Sequence, residues 1–259
     1  MSICGWAHQD PCMIVRIGDI EAVSNGPTYG YGLVSIDGWE GGAPATGGPV
    51  PYEAGDGAIR GDVFYGPRSL IIEGDIVAVD HQDLADKIGA LSALGRYETL
   101  TVDETFHTGW VRQMDVTRLR PVQTTPHGPT YATWTMSLET VDWRRVEPDI
   151  QVATVTTAGT PIRNLGTAPA ALTLHLNGPL TNPGIAWGGG AWQYSGSIPS
   201  GQMISVDMER RVVRNPATTA HSRRLASGTW LSPLPGLTTL WRTGTGSGTV
   251  TARWRSSWA

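Results

Sequence analysis

Leu172-Thr173-Leu174-His175-Leu176-Asn177-Gly178-Pro179-Leu180-Thr181-Asn182-Pro183-Gly184-Ile185 is the stretch that decides the fold class of this chain. It opens as a strand, with Leu172, Leu174 and Leu176 on one face and Thr173, His175 and Asn177 on the other. Asn177-Gly178-Pro179 and Asn182-Pro183-Gly184 follow. These residues supply a positive or a fixed φ and turn the chain sharply. A half-buried strand followed by two tight turns belongs at the edge of a β-sandwich. The stretch holds no nucleophile, no general base and no metal-ligand set, which points to a structural or binding protein.

Composition agrees. The 259 residues include 33 Gly and 18 Pro, and only 16% are charged. Many short strands joined by turns produce that balance, and long helices do not. A chain of this length holds one large or two ordinary domains and buries roughly 70–75% of its unfolded surface, so it needs no covalent staples. The 11 tryptophans read as core and interface anchors. Cys4 and Cys12, with no CxxC and no second pair, are too few for a structural zinc site. They form one disulfide or two thiols, and a reducing cytoplasm favours the thiols. The first thirty residues lack a signal-peptide pattern, and no apolar stretch is long enough to span a membrane.

The net charge of −4 hides an asymmetry. Residues 1–147 carry ten basic and twenty acidic side chains, a balance of −10. Residues 148–259 carry nine arginines against Asp149, Asp207 and Glu209, a balance of +6. Opposite signs predict two domains, 1–147 and 148–259, parted at the polar segment Asp142-Trp143-Arg144-Arg145-Val146-Glu147-Pro148-Asp149.

In the first half, strands are expected over Met13–Ile17, Ser69–Ala78, Tyr97–Val102, Gly109–Val116 and Tyr131–Glu139. The last alternates cleanly: Trp134, Met136 and Leu138 face one way, Thr133, Thr135, Ser137 and Glu139 the other. Leu84, Ile88 and Leu91 recur at helical spacing and predict one helix over Gln82–Leu94, with Asp83 and Asp86 suited to its positive end and Gly95 able to stop it. Gly38–Gly61 is rich in Gly and Pro and has no periodicity; it reads as a long excursion from the domain. In the second half, strands are expected over Gln151–Thr156, Leu172–Leu176, Gln202–Asp207, Arg211–Val213, Gly236–Trp241 and Gly248–Trp254, the pattern of two antiparallel sheets packed as a sandwich.

No catalytic constellation stands out. The chain has no Gly-x-Ser-x-Gly elbow and no HExxH pair. Gly244-Thr245-Gly246-Ser247-Gly248 lacks the lysine of a phosphate loop and reads as a hairpin turn. Asp103-Glu104 reads as a turn or a solvated edge, because neighbours on a strand point to opposite faces. Trp187, Trp192 and Tyr194 around Gly188-Gly189-Gly190 offer aromatic faces for sugar rings, with Asn182 or Gln193 to add hydrogen bonds. The competing reading packs one aromatic of each pair inward and makes the glycines a hairpin. The scattered arginines of the second half match no nucleic-acid motif and suit an acidic partner equally well.

The ordered set of segments resembles the distal tail proteins of long-tailed bacteriophages, in particular those infecting actinobacteria. The resemblance lies in Tyr65-Gly66-Pro67-Arg68-Ser69-Leu70-Ile71-Ile72-Glu73-Gly74-Asp75-Ile76 and the helix with Leu84, Ile88 and Leu91. It continues through Leu172–Pro179, Thr181-Asn182-Pro183 and Ile204-Ser205-Val206-Asp207. Leu234–Leu240 and Thr249–Arg255 complete it. The resemblance implies a mainly β protein: an N-terminal tail-tube-like β-barrel or split barrel with one helix, and a C-terminal galectin-like antiparallel β-sandwich. It implies a homo-hexameric ring at the tail tip of the virion, made in the host cytoplasm, between the tail tube protein and the tail-tip hub. It further implies that DNA passes through the ring's channel without specific binding, and that no membrane, cofactor, metal or catalytic residue is involved. The family's extended inter-subunit loop would fall on Gly38–Gly61, including Trp39, Glu40, Tyr52 and Glu53. Some of the first half's excess acids would line the channel and repel phosphates. The rival readings are a carbohydrate-binding adhesion module contacting the host cell wall and a β-sandwich glycan hydrolase, the latter without a convincing acid pair.

Overall fold

The computed structural model describes residues 13–24, 28–48, 50–51, 58–59, 63–105, 108–218 and 226–259. The chain divides into two compact units, Met1–Arg145 and Val146–Ala259.

Seven strands of the first unit close into a barrel. They are β1 (Ile14–Ile17), β2 (Ile20–Val23), β3 (Gly30–Asp37), β4 (Ser69–Val77), β5 (Tyr97–Glu104), β6 (Trp110–Arg118) and β7 (Tyr131–Thr140). Their order is β7-β4-β3-β2-β1-β5-β6, and β6 returns to β7. The closing seam is short: Val116, Thr117 and Arg118 face Thr140, Glu139 and Leu138. Only β2 and β3 run parallel. Closure leaves these strands few free edges.

Alternation fills the barrel. Leu70, Ile72 and Ile76 of β4 and Ala132, Trp134, Met136 and Leu138 of β7 point into one core. Gly74 takes the inward position between Ile72 and Ile76 because nothing larger fits. A Cβ there would lie 2.2 Å from the Gly32 carbonyl oxygen and 2.5 Å from the Trp134 ring. The indole of Trp134 lies in that space and donates to the Asp75 carbonyl at 3.0 Å.

The helix α1 spans His81–Ala93. Asp80 caps it, accepting from the Asp83 amide at 2.9 Å, while Asp83 accepts from the Val79 amide at 2.8 Å. This reciprocal pair satisfies amides that a helix start leaves unpaired. Leu84 and Leu91 are buried in the barrel core, with Ile88 packed beside them. The helix ends at Leu94, whose backbone is extended, and Gly95 does not serve as a left-handed cap. The Gly95 amide instead donates to the Glu98 carboxylate at 2.8 Å.

The excursion after β3 is more regular than its composition implies. Ala45–Gly47 pairs antiparallel with Val63–Tyr65, and further out Val50–Pro51 pairs with Ala58–Ile59. The segment is therefore a hairpin arm, with residues 52–57 outside the described residues.

The second unit holds two antiparallel sheets. Its strands are β8 (Gln151–Val155), β9 (Thr160–Asn164), β10 (Leu172–Asn177), β11 (Leu180–Trp187), β12 (Gly190–Tyr194), β13 (Met203–Asp207), β14 (Val212–Arg214), β15 (Ala226–Gly228), β16 (Gly236–Thr245) and β17 (Thr249–Trp254). One sheet has the order β8-β17-β10-β13-β14. The other has β9-β16-β11-β12-β15, with Ser197–Ile198 beside β11. Leu172, Leu174, Leu176, Val250 and Ala252 of the first sheet share a core with Ile162, Ile185, Trp192 and Leu240 of the second.

Three sequence expectations change here. The strand β10 is not at an edge; it lies between β17 and β13. Asn177-Gly178-Pro179 carries the chain from one sheet to the other. Asn182-Pro183-Gly184 is not a turn but a bulge inside β11, where the register against β16 shifts between Thr181 and Gly184. Asn182 takes φ +47° there, and Pro183, which lacks an N–H, suits a bulge. Gly244–Gly248 is not a hairpin, because β16 and β17 belong to different sheets. Arg242 ties that corner by donating to the carbonyls of Gly248 (2.7 Å) and Gly246 (2.5 Å). Gly188-Gly189 does form the expected hairpin, with Trp187 opposite Gly190.

Two glycines in the first unit should respond oppositely to alanine. Gly74→Ala is expected to lower stability by about 1–3 kcal/mol through overpacking. Gly89→Ala, in the interior of α1 with nothing within 4 Å of the added carbon, should raise it by about 0.5–1 kcal/mol. Urea denaturation of both variants checks the pair.

Candidate functional site

The arm leaves the barrel through a turn that only glycine can make. Gly38 has φ +84°, and a Cβ would fall 2.2 Å from the Ser69 carbonyl oxygen. The next residue, Trp39, turns back into the barrel core and is 1% exposed. Its Nε1–H donates to Glu104 Oε1 at 2.7 Å. The guanidinium groups of Arg112 and Arg145 stand 5.9 and 5.7 Å from its ring centroid. The indole is thus held by its edge to a carboxylate and by its faces to cations.

Glu104 corrects the expectation of a solvated edge. Asp103 does face out, toward Arg16 at 3.5 Å, but Glu104 is 1% exposed. A buried carboxylate must be paired and hydrogen-bonded, and this one is. It accepts from Trp39, from Thr108 Oγ1 at 3.1 Å and from Arg112 Nη2. Arg112 also donates to Glu40 Oε1 at 3.0 Å, and Arg145 donates to Glu40 Oε2 at 2.9 Å. Arg68 completes the set: it donates to the carbonyls of Trp143 (2.7 Å), Trp39 (3.2 Å) and Gly41.

The two carboxylates differ in weight. Glu40 is 67% exposed, so its bridges contribute at most about 1 kcal/mol. Glu104 and Arg112 are 1% and 7% exposed at their side chains, and removing one partner of such a pair costs about 3–5 kcal/mol. Glu104 therefore anchors the arm's root, and Glu40 trims it. The return strand is fixed separately by Tyr65, which packs on Trp143 with ring centroids 4.7 Å apart.

Of the residues expected at an inter-subunit loop, Trp39 and Glu40 lie at this root. Tyr52 and Glu53 lie outside the described residues, as do Cys4 and Cys12. The sequence-based reading missed Arg68, Glu104, Arg112 and Arg145 as a group. A signal was present for two of them. Leu100 and Val102 alternate inward and the next inward position is Glu104; Arg112 likewise precedes Met114 and Val116 on the inward register of β6.

The aromatic trio of the second unit is divided by its strand. Trp192 is 1% and Tyr194 is 7% exposed, both in the core, and Trp192 packs on Trp230 at 5.7 Å. Trp187 is half-buried against the same core. Gln193 Nε2 donates to the Asn182 carbonyl at 3.2 Å, and Asn182 Oδ1 accepts from the Gly196 amide at 2.9 Å. These polar groups serve the local bulge. Among the described residues, no group of three or more His, Cys, Asp and Glu is placed to hold a metal ion, and no helix is long and apolar enough to cross a membrane.

The two units define a class: a closed seven-strand β-barrel carrying a hairpin arm and one helix, together with a pair of antiparallel sheets that share a core. No protein-family model and no curated protein matches the chain. Among solved structures it is similar to SPP1 Dit (gp 19.1), described as a paradigm of hub adsorption apparatus in Gram-positive infecting phages. That likeness has a TM-score of 0.65 at 14% identity and covers 95% of this chain and 99% of that chain. It is a likeness of fold. Two structures of the phage P2 baseplate in its activated conformation, with Ca and with Sr, give TM-scores of 0.44 and 0.47 at 8% identity over 93% of this chain.

Acid should loosen the first unit. Burial raises the Glu40 carboxyl, but the hydrogen bonds and charges of Arg145 and Arg112 outweigh it and hold the group below its ordinary value of 4.5. Asp142 has the same sign: burial raises it, and Arg144 lowers it further. A carboxyl held low in the folded state takes up its proton more readily when unfolded. Its contribution is present above the unfolded pKa and is lost as pH falls through the folded value. Thermal melts should therefore show the midpoint dropping as pH falls below about 4.5, with a shallower drop in Glu40→Gln. At neutral pH, Glu104→Ala should lose about 3–5 kcal/mol in urea denaturation, several times the loss in Glu40→Gln.

Proposed function

We propose that this protein is a non-enzymatic structural component of a long-tailed phage tail tip. Copies of the chain form a ring, hexameric by resemblance, that joins the tail tube to the tail-tip hub and lets DNA pass. In this reading the barrel is the tail-tube-like, ring-forming domain, and the paired sheets are a galectin-like docking domain. The observation that carries the proposal is the likeness to SPP1 Dit, which extends over 95% of this chain and 99% of that chain and so includes both units. The domain limits proposed for these roles are 1–147 and 148–259.

The geometry of the arm supports the reading. A ring of identical subunits uses head-to-tail contacts, each subunit presenting one surface to the next. A hairpin with a rigid root is suited to such a contact, because ordering its base in advance lowers the entropy lost on docking. Trp39 and Glu40 then act at the root, and Tyr52 and Glu53 at the part of the arm that meets a neighbour. The excess acids of the first unit repel the phosphates of passing DNA where they face the channel.

Light scattering after size-exclusion chromatography, with electron-microscopy class averages, tests the assembly. Rings are expected from the purified protein alone or on addition of its tail neighbour; solitary particles under both conditions would count against the proposal. Replacing residues 43–64 by a short Gly/Ser linker should leave a cooperative thermal unfolding transition while abolishing the ring.

A further inference from the structure

The outer face of the β8-β17-β10-β13-β14 sheet is polar and positively charged, and the assembly reading gives it no task. Register places its side chains. Arg253, Thr173, Asp207 and Val212 form one row across β17, β10, β13 and β14. Thr251, His175, Ser205 and Arg214 form the next. Thr173, Ser205, Asp207, Arg210, Val212 and Arg214 line a shallow pocket of about 290 Å³ at one end of the face.

Among the described residues the arginines of this face have few partners. The side chains of Arg214 and Arg253 make no hydrogen bond or ion pair with any described residue. Arg210 meets Asp207 only at 3.9 Å, with its side chain 79% exposed. Asp207 is the one carboxylate among the residues of both rows, and its Oδ1 accepts from the amides of Glu209 (3.1 Å) and Arg210 (2.9 Å). Arg253 also disfavours charge on its neighbour: burial first, and then this guanidinium, lower His175 from its ordinary value. Arg253 is half-buried and Arg210 and Arg214 are exposed; a guanidinium with no bonded partner among the described residues leaves its donors to an incoming acceptor.

We propose that this face binds an extended anionic polyol, a chain bearing hydroxyls and repeated phosphate or carboxylate groups. One anionic group sits between Arg210 and Arg214 in the pocket, and a second lies toward Arg253. The two ends are three strand spacings apart, about 14 Å, so a single small anion cannot reach both. Forked guanidinium groups take phosphate or carboxylate in the same bidentate way. Thr173, Thr251 and Ser205 supply donors and acceptors for hydroxyls. An acidic protein surface would answer the arginines but would leave the shallow pocket and its hydroxyl row unused.

Isothermal titration of the full chain tests this with three probes: inorganic phosphate, a glycerol-phosphate oligomer and an oligo-galacturonate. At least one oligomer should bind about tenfold or more tighter than inorganic phosphate, and the preferred one identifies the anionic group. Arg214→Gln combined with Arg253→Gln should weaken that binding about tenfold or more, and Arg163→Gln on the other sheet should leave it unchanged. Raising salt from about 0.05 to 0.5 M should weaken it as well. These arginines are not core residues, so matching melting curves for wild type and variants will confirm an intact fold. Absence of binding by both oligomers, binding unaltered in the double variant, or binding of poly-glutamate in place of both polyols would overturn the proposal. The ring measurements above do not bear on it, and its failure would leave them standing.

Discussion

One buried carboxylate organises the first unit. Glu104 ends a barrel strand, and its charge must be met inside the protein because water cannot reach it. The indole N–H of Trp39 and the guanidinium of Arg112 meet it. That requirement pulls the chain sharply inward immediately after β3. It sets where the arm begins, and it collects Arg145 over the same ring and Arg68 at the Trp39 carbonyl. The arrangement is specific because its members are costly to leave unpaired. An apolar residue at position 104 would fill the space but would not dictate where Trp39 goes.

Segments with a single dominant period were legible in the sequence. The alternation of Tyr131–Thr140 and the helical spacing of Leu84, Ile88 and Leu91 each matched an element to within a residue or two, because one face of each is buried in a core. The arm was not legible. Its strands are two or three residues long in a segment rich in Gly and Pro, too short for a period to emerge. The strand β11 was hidden by Asn182-Pro183-Gly184, residues that serve a turn and a bulge equally well. Gly244–Gly248 misled in a related way. Local chemistry announces a change of direction, but whether the chain returns to the same sheet or crosses to the facing one depends on long-range pairing.

The cluster at the arm's root was not legible for the same reason. The resemblance put Trp39 and Glu40 in an inter-subunit loop and said nothing of their place at its root, because their partners are 29, 65, 72 and 105 positions away in sequence. Inward register could have identified Glu104 and Arg112, since each continues an apolar alternation. Arg68 and Arg145 carry no such mark. The sugar-facing reading of Trp192 and Tyr194 is undone by parity: residues 192 and 194 share the inward face of β12, so both rings enter the core.

The pairing of the second unit also bears on how the molecule is made. Gln151–Val155 has a single neighbour within its sheet, Thr249–Trp254, in a register that sets Gln151 against Trp254. About a hundred residues separate these partners in the order of translation. The first strand of the unit therefore emerges from the ribosome long before anything can hydrogen-bond to it, and the same late strand is needed by Leu172–Asn177. Such contacts assemble slowly. Nascent chains halted before Thr249 would display two unmatched backbone edges, so this unit depends on the completion of synthesis in a way that a helical bundle of equal size does not.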